Sequence, residues 1–439
     1  MGVAEIGGIL LIFMMLLLCS GVWIAMTLAI TGWIGMVLFT SQPPAIWGKN
    51  LFYSMWESSA SWELAALPLF IWMGEILFRT RLSEQMFSGL APWLNRVPGR
   101  MMHTTILGCG IFGSVSGSSA ATCATIAKVA LPELKRRGYD EKLAVGSLAT
   151  AGTLGILIPP SITMVVYAVA ADASIIRIFL AGFLPGFILM LLFSGYIAWW
   201  SIRNPDKVPT SGVDMTFRQK VYESRHLIPC TLLIVFIVAV LIAGWATATE
   251  CAAYGVLGAL VIAWQSKMLT WQSFRDSLMS ATRVSCMIMF ILAGAAFLKL
   301  TMAFTGIPRE LAEWVNAMNL HPYALIAVLA VFYIILGTAL DGISMIVLTA
   351  AVVLPMIQKA GFDLIWFGIF VILLVEIAEV TPPVGFNLFV LQNMTGQDSN
   401  VIARAAIPFF VMLVVCILLI TVFPQIVTIV PDLIMGPQK

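Results

Sequence analysis

Two short clusters of small, oxygen-bearing residues stand in an otherwise apolar chain. Ser114, Ser116, Gly117, Ser118 and Ser119 lie in "GIFGSVSGSSA", and Gly337, Thr338, Asp341, Gly342 and Ser344 lie in "LGTALDGISM". Their ligating atoms are hydroxyl, carboxylate and main-chain carbonyl oxygens, without thiolate or imidazole, a set that suits a hard ion such as Na⁺. Each cluster is followed by two adjacent prolines, Pro159–Pro160 and Pro382–Pro383. Proline lacks the N–H and its ring clashes with the preceding turn, so a helix must break at each pair.

The surroundings of these breaks decide what they are for. The chain has 439 residues, 60% hydrophobic and 10% charged, with a mean hydropathy of +0.99. That composition reads as an all-α polytopic membrane protein built from spans of about 20 residues. The run 143–171 around the first proline pair carries no charge. In hydrocarbon, broken backbone is tolerated only where it is buried in protein or lines a polar cavity. Both breaks therefore predict a cavity at membrane depth.

A net charge of +2 and a single short basic tract, Lys135–Arg137, exclude nucleic-acid binding. The seven cysteines stand in apolar surroundings without a CxxC pair, and read as small core residues. "MGVAEIGG" has an acidic residue and no Lys or Arg before the first apolar run, which reads as a first span and not a signal peptide.

The elements that position the clusters repeat along the chain. "LPELKRRGYD" at 131–140 matches "LPMIQKAGFD" at 354–363, and the same offset carries Pro159, Pro160 and Pro185 onto Pro382, Pro383 and Pro408. Gly21, Ala25 and Gly35 fall likewise on Gly244, Ala248 and Gly258. The reading is two repeats, 1–202 and 227–439, joined by a polar linker at 203–226. In the first, a hairpin is expected at about 104–134 and a broken helix at 142–171. In the second they fall at about 323–357 and 364–394. The hairpin arms, about 12 to 15 residues each, are too short to span alone, so the hairpins read as re-entrant.

Charge gives the orientation. Arg96 and Arg100 precede the first hairpin, Lys135, Arg136, Arg137 and Lys142 follow it, and the linker is basic too, which places that side in the cytoplasm. The second hairpin has only Lys359 at its exit, so it opens on the opposite face. Five crossings per repeat invert the second copy. The expectation is about ten transmembrane helices, two opposed re-entrant hairpins, inverted-topology repeats and both termini outside.

Inverted repeats with discontinuous helices at the midplane are the architecture of secondary transporters. Half-helix ends and unwound carbonyls there hold ions that an intact helix cannot. Candidate Na⁺ ligands are Ser114, Ser116, Gly117, Ser118, Gly152, Pro159, Gly337, Thr338, Asp341, Gly342, Thr381 and Pro382. Candidate substrate contacts are Ser119, Thr122, Lys128, Ser161, Ser344 and Asn387. Each has a plainer reading beside it. Gly/Ser clusters also permit close helix packing, Asp341 also caps a helix, Asn387 also serves as a structural hydrogen-bond partner, and Lys128 also snorkels to the surface. Glu376 and Glu379 approach the second break without a periodicity that says which faces the cavity. Glu63 and Glu75 in the third span have no partner that the sequence identifies.

At these residues the sequence resembles the large membrane subunit (DctM-like permease) of tripartite ATP-independent periplasmic (TRAP) transporters. "SVSGSSAATCATI", "LPELKRRGYD", "IPPSITMVVY", "FLAGFLPG", "ALDGISMIVLTAAVVLP", "TPPVGFNLFV" and "RAAIPFF" follow that family's pattern in order, and "GWATATECAAYGVLGAL" matches its central segment. The resemblance covers nearly the whole chain. It implies a Na⁺-coupled elevator transporter of the bacterial inner membrane that imports organic acids handed over by a soluble periplasmic substrate-binding protein. It further implies a small four-helix membrane subunit, expected as a separate polypeptide, and no organic cofactor. Where many members carry an acidic residue or an Ala/Val run, this chain reads Ser119 to Cys123, and Lys128 stands where a small or apolar residue is usual.

Two rival classes stand beside this reading. An intramembrane hydrolase needs a nucleophile with a base, but His103, His226 and His321 sit at span edges and Asp341 has no second intramembrane Asp motif. A channel or Na⁺-independent anion permease shares the hairpins and differs in whether flux saturates and depends on Na⁺.

Overall fold

The fold is taken from a computed structural model that describes residues 2–80, 82–209, 215–225, 227–317, 321–338, 340–382 and 385–437. Among these the chain is all helix and turn, without a strand. Four helices are long and apolar enough to cross a membrane by themselves: Ile175–Arg203, Trp271–Thr305, Gly342–Lys359 and Ser399–Val422. The number rises to seven if each bent pair counts as one span. The expectation of about ten crossings, counted apart from the hairpins, also includes shorter apolar helices such as Glu5–Cys19 and Ile24–Phe39.

Burial separates the helices into a centre and a periphery. Apart from Glu376 and Glu379, Leu364–Glu379 is apolar on every face, and it is buried without interruption from Ile365 to Ala378, the signature of a helix enclosed by other helices. Peripheral helices keep exposed apolar faces instead, with Leu11, Ile12 and Leu16 on one, Leu232 and Val235 on another, and Leu257 and Val261 on a third. Such faces suit lipid, and Trp23, Trp62, Trp245, Trp264 and Trp271 stand exposed at helix ends where interfacial aromatic residues belong.

Both hairpins form. The first pairs Met101–Ser116 with Ser119–Arg136, and the second pairs Pro322–Gly337 with Gly342–Lys359; in each the arms have 16 and 18 residues. They are longer than the apolar runs suggested because helical hydrogen bonding continues past the apolar stretch. Lys135, Arg136 and Lys359 occupy the last turns, where cations complement the helix dipole.

The first broken helix runs Glu141–Ala151, Leu154–Leu157 and Ile162–Ala170, with a 46° bend across Pro159–Pro160. The second runs Leu364–Glu379 and Phe386–Thr395. The hairpins and broken helices pack reciprocally: the exit arm of the first hairpin lies against Phe386–Thr395, and that of the second lies against Ile162–Ala170.

Around this centre, Ile24–Phe39 pairs with Trp271–Thr305, and Ala248–Gln265 pairs with Trp62–Phe78. Here the two halves differ. Trp271–Thr305 is continuous over 35 residues, whereas the corresponding stretch in the first half is two pieces, Pro44–Ser59 and Trp62–Phe78, bent by 53°. The sequence reading missed Pro44–Ser59 because its polar residues interrupt the apolar pattern. Ser399–Val422 ends before Pro424 and Gln425–Met435 begins a new helix, a place where a proline lacking the N–H favours a break. The 203–226 linker carries the helix Phe217–Ser224, whose Ser224 hydroxyl accepts from Trp93 Nε1 at 2.6 Å.

Candidate functional site

The two hairpin tips meet. A cavity of about 280 Å³ is lined by Ser116 to Ala121 from the first tip and by Asp341 to Ile343 from the second. Ile156, Ile162, Thr163, Glu379 and Phe386 line it from the two broken helices, and Ile71, Gly74, Glu75 and Phe78 close it from the third span. The sequence anticipated two such clusters; the fold joins them in one chamber.

The first tip is a two-residue turn. Gly117 ends the inbound arm at φ +61°, a left-handed conformation that costs other residues a Cβ clash, and Ser118 caps the outbound arm. Ser116 and Thr122 hydroxyls are 2.6 Å apart across the turn, and Thr122 also donates to the Ser118 carbonyl at 2.7 Å. The turn lies deep because its neighbours are small: a Cβ on Gly113 would stand 2.6 Å from Gly155 Cα in the first broken helix.

Ser119 connects this tip to the other half of the chain. Its hydroxyl exchanges hydrogen bonds with Asn387, at 3.1 Å to Oδ1 and 2.8 Å from Nδ2, and Asn387 Nδ2 also donates to the Ala149 carbonyl at 2.8 Å. Asn387 is wholly buried. Its three bonds tie the first hairpin, the first broken helix and the second broken helix to one amide. Gly152 stands behind this junction, where a Cβ would meet Cys123 and Asn387.

The proline break is satisfied locally. Pro160 has no N–H for the Ile156 carbonyl, and Ser161 replaces it, donating its hydroxyl at 2.7 Å while also capping Ile162–Ala170 through the Met164 N–H. Pro159 likewise has no N–H for the Gly155 carbonyl.

The second tip carries charge. Asp341 caps Gly342–Lys359, accepting from the Ser344 N–H at 3.2 Å and from the Ser344 hydroxyl. Gly342 is small for a reason of packing, since a Cβ there would run into Val375. Three carboxylates line the cavity, Glu75, Asp341 and Glu379. Only Glu75 has an ion pair among the described residues, with Arg79 at 3.4 Å. Glu379 Oε2 is buried without a hydrogen-bond partner, and Glu376, one turn back in the dry centre, has none at either oxygen.

The structure thus brings Ser116, Gly117, Ser118, Ser119, Asp341 and Gly342 to the chamber, with Thr122, Ser344 and Asn387 holding them. Several expected ligands lie elsewhere. Ser114 donates to Ile111 O within its own helix. The Pro159 ring lines a separate small cleft against Phe179 and Leu241. Thr338 and Thr381 donate to the Ile335 and Ile377 carbonyls, and Gly337 is packed against Ala378. Pro382 is exposed in the turn. Lys128, nine residues beyond the tip, is exposed and outside the cavity lining. Pro383 and His226 lie outside the described residues. Sequence reasoning missed the wall formed by Ile71, Gly74, Glu75 and Phe78; no local signal marks it, because the third span meets the tip only in the fold.

Comparison with known proteins agrees with this architecture. The family model described as "Tripartite ATP-independent periplasmic transporter, DctM component" matches residues 11–426. The chain is 30% identical over 407 residues to the C4-dicarboxylate TRAP transporter large permease protein DctM of Pseudomonas aeruginosa, covering 92% of this chain and 94% of that one. It is 29% identical over 413 residues to the isethionate TRAP transporter permease protein DctMQ of Oleidesulfovibrio alaskensis, covering 94% of this chain and 64% of that one. Among solved structures, the Alcanivorax borkumensis YdaH transporter superposes with a TM-score of 0.64 over 92% of this chain and 97% of its own, at 12% identity, which shows a shared fold. The chain belongs to the DctM component family of TRAP transporters, and is a multi-pass membrane permease.

Proposed function

We propose that this TRAP permease imports an organic carboxylate together with Na⁺ through the bacterial inner membrane, and that the chamber between the hairpin tips carries both. The observation that supports the reading is the meeting of both tips and both helix breaks at one cavity of about 280 Å³, close to the size of a small-molecule site. Its donors are hard oxygens, which fit Na⁺.

Charge supports coupling. Asp341 faces the chamber without a cationic partner, and a bare carboxylate repels an organic anion. Na⁺ at the tips removes that repulsion, so the carboxylate binds well only after the ion does. This chain's part is to hold the tips in register through Ser119 and Asn387 and to aim Asp341 at the ion. The relatives named for C4-dicarboxylates and isethionate make a small organic anion the cargo to test first.

In this reading the hairpins and broken helices, drawn from 1–202 and 227–439 as inverted repeats, move as one body against the peripheral helices, an elevator. Both termini and the mouth of the second hairpin are external, and the basic 203–226 linker is cytoplasmic. The family implies a small membrane subunit and a periplasmic binding protein as partners. The decisive experiment is uptake into liposomes holding the permease and its small subunit. Candidate acids are offered on their binding proteins, with and without an inward Na⁺ gradient. Saturable uptake that needs Na⁺ and the binding protein is expected; flux indifferent to both would replace the coupled mechanism with a channel.

A further inference from the structure

Next to the tip chamber lies a second cavity, of about 590 Å³, whose chemistry is the opposite of the first. Arg79, Arg275 and Arg283 wall it, with Asp276 as its one carboxylate. Arg275, Met279 and Arg283 follow one another at four-residue steps on one face of Trp271–Thr305, so their side chains project together. Among the described residues neither Arg275 nor Arg283 has an ion pair. Arg79 Nε is buried without an acceptor, and its Nη2 reaches only Glu75 and the Asp276 carbonyl, each at 3.4 Å. Guanidinium groups gathered along one cavity can pair bidentately with an oxyanion.

The two cavities adjoin. Val284 lines both, and the Glu75–Arg79 pair joins a wall of one to a wall of the other. The arginine cavity lies toward the end where Trp271–Thr305 begins, and that helix is 35 residues long, about 52 Å at 1.5 Å per residue. It overreaches a hydrocarbon core of about 30 Å, which leaves Arg275 at the interface on the side of Lys267. A positive lining is not general to the molecule: a third cavity, of about 580 Å³, carries Glu57, Glu63 and Asp172 against one Lys299.

We propose that the cavity walled by Arg79, Arg275 and Arg283 is an oxyanion site that receives the carboxylate cargo from the hairpin tips on the cytoplasmic side. The identity of the cargo rests on the transporter reading above; the existence of the site does not. An organic carboxylate and the phosphate of an anionic lipid share the chemistry that three guanidinium groups recognise, bidentate pairing with two oxygens.

The test is equilibrium binding of radiolabelled succinate to the full chain in phosphatidylcholine nanodiscs, in Na⁺-free choline buffer so that Na⁺-dependent binding at the tips is silent. The pair Arg275→Gln and Arg283→Gln, both exposed, is expected to weaken binding by at least about tenfold. Arg225→Gln, remote from the cavity, should leave it unchanged. Discs containing phosphatidylglycerol separate the two sources. Persistence of the difference assigns the site to the soluble carboxylate, and its disappearance through competition assigns it to the headgroup. Equal succinate affinity in wild type and double variant, or none in wild type, in phosphatidylcholine overturns the proposal. A failure of the transporter reading would appear differently, as absent uptake with this binding intact.

Discussion

The two hairpins have arms of equal length and end in tips of opposite character. At the first tip the polar side chains are turned inward: Ser116 pairs with Thr122, Ser118 caps its helix, and Ser119 is locked to Asn387. At the second tip a carboxylate, Asp341, caps its helix and still lines the chamber. The first is a neutral wall whose contribution is shape, and the second supplies charge. Disturbing the first tip should therefore damage stability and transport together, whereas disturbing the second should change ion dependence while the fold survives.

Asn387→Ala tests the wall most severely. It strands the Ser119 hydroxyl and the Ala149 carbonyl in a dry interior, at a cost of about 1–3 kcal/mol for each unsatisfied group. A lowered melting temperature with near-complete loss of uptake is expected; a variant that melts and transports like wild type would show that the two halves are joined elsewhere. Asp341→Asn sharpens the contrast, because asparagine caps a helix about as well as aspartate but carries no charge. The Na⁺ concentration for half-maximal uptake should rise by about tenfold, equivalent to ~1.4 kcal/mol, with the melting temperature nearly unchanged. An unchanged Na⁺ dependence would make Asp341 a cap and nothing more.

Ser161→Ala probes the break rather than either tip. It removes the donor that replaces Pro160's missing N–H at the Ile156 carbonyl, and should destabilise by about 1 kcal/mol, read by thermal melting, with Na⁺ dependence preserved. Lys128→Gln should do least. Since that side chain is exposed and off the chamber, uptake kinetics are expected to match wild type for every acid tested, and a selective loss for one dicarboxylate would return Lys128 to the substrate path.

Much of this was legible beforehand. Proline pairs and Gly/Ser clusters announced the breaks and tips because their effects are local: a missing N–H or a missing Cβ acts within one turn. The capping of Gly342–Lys359 by Asp341 could be read in the same way. The role of Asn387 could not, because its partners Ser119 and Ala149 are 268 and 238 residues away. The same limit applies to Glu376 and Glu379. They are three residues apart on one helix, yet one is sealed in the centre and the other faces the chamber, a difference set by neighbours from distant segments.

Sequence by itself determined the all-helical membrane character, the paired clusters, the places where helices must break and the family, since composition, backbone chemistry and motif order need no knowledge of what lies across the fold. Only the tertiary structure decided that both tips share one chamber, that Lys128 is outside it, and that two arginines of Trp271–Thr305 and Arg79 at the end of Trp62–Phe78 wall an adjoining cavity. Those facts depend on which segments pack together, and packing is the sum of many weak long-range contacts that no short stretch of sequence encodes.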